Sequence, residues 1–484
     1  MQQGTQTTEG GTPPPDAPTL EAVDRWVAYR LWHTRTPGAQ VAIGMGGTPF
    51  FSQAYGCADL DRRTPMRPDH LFRIASHSKT FTATLLLQLV DQGRVGLDDP
   101  VGQHLPELDE ALADVRLREL LEHTGGLLRD GRDADYWQHR RSFPNRDQLV
   151  ELANQGGLKC GPGEHFAYSN IGYSLLGLVI EKVTGESFAD AVQHQIVEPL
   201  GLTDTAADYV EERADDYAAG HSGLHAATRR RTMDHVITHA MAAATGFTST
   251  ATDLVTYFGA HAFGDERLLS DRTKRLQQRQ VNNSDPADPD AGGYGWGMVT
   301  ETIDDTAYVG HSGGYPGHIT KTLLDPTTGL VISVLTNAID GPATLLARGV
   351  AQLLAEARTQ AAKDHTLSDA ARSRTGRYRS DWAVIDVAAL GGRLRTISPT
   401  KWIPLEGADE LTEDGPDRFL IMAGNGYGSV REPVTFTTEN HETEPPHTVM
   451  RYGGMTMRPL PNLDVPEEYR LGDPGEDAFR ITER

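Results

Sequence analysis

Apolar residues recur at three- and four-residue intervals from Leu20 to Trp32 (Leu20, Val23, Trp26, Val27, Leu31), which predicts a helix. The period then changes. Gly38–Gly44 and Pro49–Tyr55 are strand-like around the turn Met45–Thr48, so a β-hairpin is expected. Leu71–Gln92 reads as one long helix that opens on Ala75-Ser76-His77-Ser78-Lys79 and ends at Gly93. Residues 98–160 read as mostly helical, broken at Pro100, Pro106, Gly125–Gly126 and Pro144. Ile171–Thr184 is amphipathic and closed by Gly185. Helices alternate with polar loops over 205–290, and 282–293 is a loop. Strand-like runs follow at Gly295–Thr300, Thr306–Gly310, His318–Asp325 and Leu330–Thr336, then a helix at Ala343–Ala361.

Beyond residue 365 the texture becomes short and β-like: Ala383–Ala388, Arg393–Ile397, Arg418–Ala423, Ser429–Thr437 and His447–Pro459. Turn residues separate these runs at intervals that suit an antiparallel barrel or sandwich. The expected organisation is a lead at 1–18 without structure, a first domain at 19–362, a polar linker at 363–375 and a β-barrel domain at 376–484. The fold class is α+β.

Composition narrows the partners. The chain has 484 residues and a formal net charge of −22, which argues against a nucleic-acid binder and against an anionic membrane surface. No stretch approaches the ~18 apolar residues of a membrane span. The N-terminus lacks the basic and apolar regions of a signal peptide, so a cytoplasmic protein is expected. Cys57 and Cys160 make no disulfide framework and have no metal-spaced partners; neither a metal nor an organic cofactor is implied. Only seven of the basic residues are lysines, so a lysine in a reactive setting stands out.

One does. Ser76 and Lys79 are three apart at the start of a predicted helix and therefore share a face. A lysine held in a dry cleft can lose its proton and act as the base a serine nucleophile needs. Ser78 is the nearest rival, but it adjoins Lys79 and diverges from it on a helix. A second Ser-x-x-Lys, Ser398–Lys401, contains Pro399 and has a β-like setting, so it reads as structural. Tyr168 and Asn170, two apart before the helix at Ile171, can face one cleft. The phenol can carry a proton, and the amide can bind a substrate amide or orient the lysine. His311-Ser312-Gly313-Gly314 follows a strand, where small residues let a substrate backbone approach and His311, a candidate catalytic residue, can hold a substrate carboxylate or assist proton transfer. His-x-Gly also occurs at His123 and His221, so it is weak alone.

FRIASHSKTFTA, FAYSNIGYSLLG and GHSGGYPGH stand here in that order, and together they resemble the three active-site motifs of the serine β-lactamase and penicillin-binding-protein superfamily. The likeness is to its class C β-lactamase, DD-peptidase, D-aminopeptidase and family VIII esterase group, and covers about residues 20–360. VGLDDPVGQHLPEL, LRELLEHTGGL and YGWGM resemble its connecting segments. The resemblance implies an antiparallel sheet flanked by helices plus an all-α lobe. It makes Ser76 the acylated nucleophile, Lys79 its proton partner, Tyr168 the general base and acid, and Asn170 a substrate-amide contact. The backbone N–H groups of Ser76 and Gly314 become the oxyanion hole, with Ser312 and Gly313 beside the substrate. His311 stands where many β-lactamases have lysine and is similar to D-aminopeptidases and some DD-peptidases. His77, Asp98, Glu122 and His123 read as structural. The region from about 370 resembles the lipocalin-like barrels of such enzymes, and the 424–429 segment a loop able to reach a cleft.

The expectation is a serine hydrolase acting on small molecules or short peptides, as an amidase or peptidase for substrates with a D-residue. Alternatives are a carboxylesterase or weak β-lactamase, an acyltransferase or peptide cyclase, and a non-catalytic penicillin-binding or sensing protein. The oligomeric state is left open.

Overall fold

The structure is a computed structural model that describes residues 14–225, 228–283, 292–363, 366–424, 426–439 and 447–460. Residues 1–13 of the expected lead, most of the expected 282–293 loop and the chain beyond 460 lie outside the described residues. The described chain divides into two compact units, one of residues 28–326 and 331–348, the other of residues up to 27, 327–330 and 349–460.

The larger unit is built on a nine-stranded sheet. Its order runs from Thr64–Pro65 through Thr48–Asp59, Gly38–Met45, Leu330–Thr336, His318–Leu324, Thr306–Tyr315, Val299–Ile303 and Gly293–Tyr294 to Asn282–Asn283. Its hairpins are antiparallel, with Gly38 opposite Gly56 and Val309 opposite Leu324. Strand Thr306–Tyr315 is longer than its neighbour. Val299–Ile303 pairs only with its first half, Thr306–Gly310, while His311–Tyr315 pairs only with His318–Thr322. The motif expected to follow a strand therefore lies within one, and among the described residues one edge of it has no strand partner.

The expected long helix at 71–92 is shorter and differently begun. Phe72–Arg73 pairs as a strand with Thr248–Ser249, Ala75–His77 is one 3₁₀ turn, and the α-helix spans Ser78–Asp91. The helical pattern hid this because Leu71, Phe72 and Ile74 are all buried. The helix is buried on nearly every side, and its hydroxyls are spent internally: Thr80 on the His77 carbonyl at 2.7 Å, Thr82 on the Ala243 carbonyl at 2.6 Å. It shares one core with Asn170–Thr184 and Ala251–Gly259, through Phe81, Leu85, Leu175, Val179, Leu254 and Phe258. Asn170–Thr184 is capped by Ser169 Oγ, which accepts from Gly172 N at 3.0 Å. It ends at Gly185, whose φ of +79° is the left-handed stop that glycine allows.

Two further expectations change. Residues 98–160 hold short helices, the longest Arg146–Gly156, joined by loops. The expected strand 295–300 is replaced by Gly293–Tyr294 and Val299–Ile303.

In the smaller unit, eight strands close a barrel from Gly376–Arg379 to Met455–Pro459. The run His447–Pro459 is two of these, His447–Tyr452 and Met455–Pro459, folded at Gly453–Gly454. Asp409–Glu413 supplies a strand that the hydrophobic pattern did not mark. The interior is filled by side chains including Leu394, Leu411, Phe419, Phe436 and Met450. A buried Arg377–Asp386 pair at 2.7 Å joins the first two strands.

Candidate active site

Ser76 lies on the 3₁₀ turn, half-buried among buried neighbours. The residue before it, Ala75, has φ of +47°, a left-handed conformation that an L-residue adopts at a cost of roughly 1–2 kcal/mol. Two contacts hold the turn. Ser78 Oγ donates to the Ala75 carbonyl at 2.5 Å and accepts from Phe247 N at 3.0 Å, so the rival serine is structural and buried. Gly313 lies against Ile74, and a Cβ at Gly313 would overlap the Ile74 carbonyl oxygen. The glycine lets the strand approach the turn that carries Ser76. Gly314, next along, is exposed, and a Cβ there would make only ordinary contact with Ile319 Cδ1.

Lys79 is buried in the first turn of the helix, 3.3 Å from Ser76 Oγ. Nζ donates to Asn170 Oδ1 at 2.7 Å and to the Ala244 carbonyl at 2.8 Å. Burial pushes its pKa well below the usual lysine value; Asp130 pulls it up and Arg129 pushes it down. The positive end of the helix dipole acts in the same direction as burial. The Ala244 carbonyl is available because Ala242–Gly246 is a π-helical turn, which frees main-chain groups from the usual ladder.

Tyr168 is half-buried above this pair. Lys79 Nζ lies 4.7 Å from its ring centre. Burial pushes the phenol up to about 12, against the pull of Ser76 and of Arg129, whose guanidinium lies 4.8 Å from the ring. Tyr168 is therefore protonated at neutral pH.

His311 is buried. Nδ1 donates to its own neighbour's carbonyl, Ser312 O, at 2.6 Å, and Nε2 accepts from Tyr294 OH at 3.3 Å. Burial, then His77 and Lys79, hold it well below the usual histidine value, so it is a neutral ring at pH 7. Ser312 is exposed on the strand edge. Asn170, expected at a substrate amide, has its side chain engaged within the protein. Oδ1 faces Lys79, and Nδ2 donates to Asp130 Oδ1 at 2.8 Å.

The fold brings Ser76, Lys79, Tyr168, Asn170 and the His311–Gly314 strand to one place. Residues 23–357 match the family described as Beta-lactamase. The chain belongs to the Beta-lactamase family. Protein flp of Staphylococcus aureus strain N315 is 28% identical over 323 residues, or 66% of this chain and 63% of that protein, so the chain spans less than two thirds of this relative's length. A D-stereospecific amidohydrolase from a Streptomyces species is similar in structure, with TM-score 0.58 and 28% identity over 69% of this chain and 97% of that one. An octameric penicillin-binding protein homologue from Pyrococcus abyssi shares the fold at TM-score 0.63 and 20% identity, covering 90% of this chain and 99% of that one.

Several site residues carry little or no signal in the sequence. The Ala244 carbonyl carries no side-chain signal at all. Tyr294 opens the connecting segment YGWGM, to which the sequence reading gave no site role, yet it joins His311 to the ring cluster of His123, Phe166 and Tyr168. Asp130 and Arg129 follow the segment LRELLEHTGGL and look like an ordinary charged pair. Their signal is an Arg-Asp pair beside a Gly-Gly turn in a segment already marked as family-like. The residues read as structural have their own contacts. His77 bonds Thr322 Oγ1 at 3.0 Å and is pushed down to about 3, Glu122 accepts from Trp296, and Asp98 pairs with Arg116 and Arg118. Among the described residues no helix is long and apolar enough to cross a membrane.

Proposed function

We propose that the protein is a serine hydrolase that works through an acyl-enzyme on Ser76 and acts on small amides or peptides with a D-residue at the cut. One observation carries the mechanism. An uncharged lysine amine has two N–H donors and one lone pair. Asn170 Oδ1 and the Ala244 carbonyl take both donors, which leaves the lone pair for the Ser76 hydroxyl 3.3 Å away.

Lys79 thus takes the Ser76 proton as Oγ bonds to the substrate carbonyl carbon. The carbonyl electrons move onto oxygen, which the Ser76 and Gly314 N–H groups stabilise. The adduct collapses as the carbon–nitrogen bond breaks. The leaving nitrogen takes a proton from the Tyr168 phenol, which Lys79 reprotonates, and water then resolves the ester by the same route. The open edge at His311–Tyr315 fits a substrate backbone lying as an added strand. The D-preference is supported by the similarity to a D-stereospecific amidohydrolase.

The test is covalent labelling with a fluorophosphonate, with Ser76→Ala as control, followed by rates on D- and L-matched alanyl amides, p-nitrophenyl esters and nitrocefin. Wild-type labelling that is lost in Ser76→Ala, with D-amides preferred, is the expected result. No labelling would return the binding-protein reading. Labelling without a D-preference would move the assignment to an esterase, a transferase or a β-lactamase.

A further inference from the structure

Asp130 belongs to none of the three motifs, yet its carboxylate bonds the Asn170 amide directly. It is buried, and its Oδ1 accepts from Asn170 Nδ2 at 2.8 Å and from Trp137 Nε1 at 3.0 Å. Tyr136 OH donates to its carbonyl at 3.0 Å, and Arg129 Nε lies 3.3 Å from Oδ2.

A primary amide can turn over and exchange its oxygen for its NH₂ with little change of shape. In the turned arrangement, Asn170 would aim NH₂ at the Lys79 amine and oxygen at the carboxylate. Donor would then meet donor, and acceptor would meet acceptor. A carboxylate can only accept, so Asp130 permits one orientation alone. That orientation gives Lys79 the acceptor that uses one of its two donors and points its lone pair at Ser76.

We propose that Asp130 is a positioning residue that locks the Asn170 amide, and through it the Lys79 amine, in the arrangement that deprotonates Ser76. This rests on the reading of Ser76 as the acylated serine. The lock needs an acceptor at the Oδ1 position and does not need a charge there. Trp137 Nε1 demands an acceptor at the same point, so in Asp130→Asn the new amide keeps its oxygen where Oδ1 was.

Asp130→Asn is therefore expected to acylate with a fluorophosphonate within ~3-fold of wild type, whereas Asp130→Leu, which has no acceptor, falls ~10–100-fold. Trp137→Phe removes the second donor but not the lock and stays within ~3-fold. Besides Asp130, the charged and titratable groups that face Lys79 among the described residues are Arg129, Tyr168, Tyr173, His123 and His311. Asp130→Asn removes only the negative charge, so its acid limb moves to lower pH while its plateau stays. Equal loss in Asp130→Asn and Asp130→Leu would show that the charge itself acts, and would overturn the lock.

A second readout does not depend on catalysis. Selective ¹⁵N-asparagine labelling, assigned with Asn170→Asp, reports exchange of the Asn170 NH₂ protons. They are expected to be protected in wild type and Asp130→Asn, and unprotected in Asp130→Leu. If Asp130→Leu does not fold, Asp130→Ala serves for both measurements. Protection that survives loss of the acceptor overturns the lock. Protection that is lost while even wild type fails to label upholds the lock and overturns the function.

Discussion

The chain contains the pattern Ser-x-x-Lys at two places, Ser76–Lys79 and Ser398–Lys401, and the fold treats them in opposite ways. Ser76 and Lys79 begin a buried helix, and the amine contacts an amide oxygen, a backbone carbonyl and the serine, with no carboxylate in direct contact among its hydrogen bonds. Ser398 and Lys401 lie after the barrel strand Arg393–Ile397, where Ser398 Oγ bonds Thr400 Oγ1 at 2.8 Å and Lys401 pairs with Glu406 at 3.0 Å. The Lys401 amine, half-buried at the surface, is paired directly with a carboxylate. The buried one has acceptors but little solvent, which favours the neutral amine. A buried lysine need not behave this way. Lys321 is also buried, but Glu301 forms an ion pair with it directly. Burial together with neutral acceptors, rather than the four-residue spacing, distinguishes a candidate base from a structural cation.

The sharpest break of this comparison is to remove each amine in turn. Lys79→Met is expected to lower the Ser76 acylation rate by ~10²–10⁴-fold, measured by stopped-flow labelling, whereas Lys401→Met leaves it unchanged. Lys401→Met is also expected to move stability by less than about 0.5 kcal/mol. In wild type the acylation rate should rise with pH as Lys79 loses its proton, with the midpoint well below an ordinary lysine value. Stability should follow. Between the lowered folded pKa and the unfolded value of about 10.4, the unfolded chain binds one more proton at this site, so stability rises with pH across that window. Lys79→Met removes this slope, and it should therefore be more stable than wild type at neutral pH, with the gain shrinking towards pH 10. A neutral-pH loss of stability would mean that the folded protein keeps Lys79 charged.

The sequence made half of this visible. The helix at Ala343–Ala361, the strand Leu330–Thr336 and the barrel strands Arg393–Ile397 and Arg418–Ala423 match the expected ranges, because each pairs one clear hydrophobic period with a Gly, Pro or polar break. Ser76, Lys79, Tyr168 and Asn170 were legible because nucleophile, amine, phenol and amide have to be side chains. The start of the helix was not, since a short strand and a 3₁₀ turn with buried residues mimic a helical face. The Ala244 carbonyl was not, since any residue supplies one. Asp130 was not, since its role depends on a partner 40 residues away.

A smaller perturbation acts on the approach of the strand to the turn. Gly313→Ala places a methyl group against the Ile74 carbonyl, which neither backbone can avoid without shifting. Overpacking of this kind costs about 1–3 kcal/mol. The displaced strand carries Gly314, so the acylation rate should also fall ~10–100-fold. A thermal scan read beside the labelling rate checks both. A stable Gly313→Ala with full activity would show that the close approach is incidental.

The smallest expected effect concerns Ala75, and it sharpens the contrast with the barrel serine. Before Ser76 the chain adopts φ of +47° at a non-glycine residue, whereas Ile397, in the same place before Ser398, is the last residue of a strand. Ala75→Gly relieves strain of roughly 1–2 kcal/mol. It also loses a buried methyl worth about 0.8 kcal/mol, since Ala75 packs with Tyr136, Phe143, Met241 and Tyr315. Glycine adds about 0.5–1 kcal/mol of unfolded-state entropy. These terms cancel to within about 1 kcal/mol, so the denaturant midpoint should barely move. The turn, however, is no longer held by the alanine's packing, and Ser76 samples more positions relative to Lys79. Labelling should slow by about 2–5-fold at unchanged stability, the signature of lost positioning rather than lost folding. A labelling rate equal to wild type would mean that the Ser78 and Gly313 contacts fix the turn without help from Ala75.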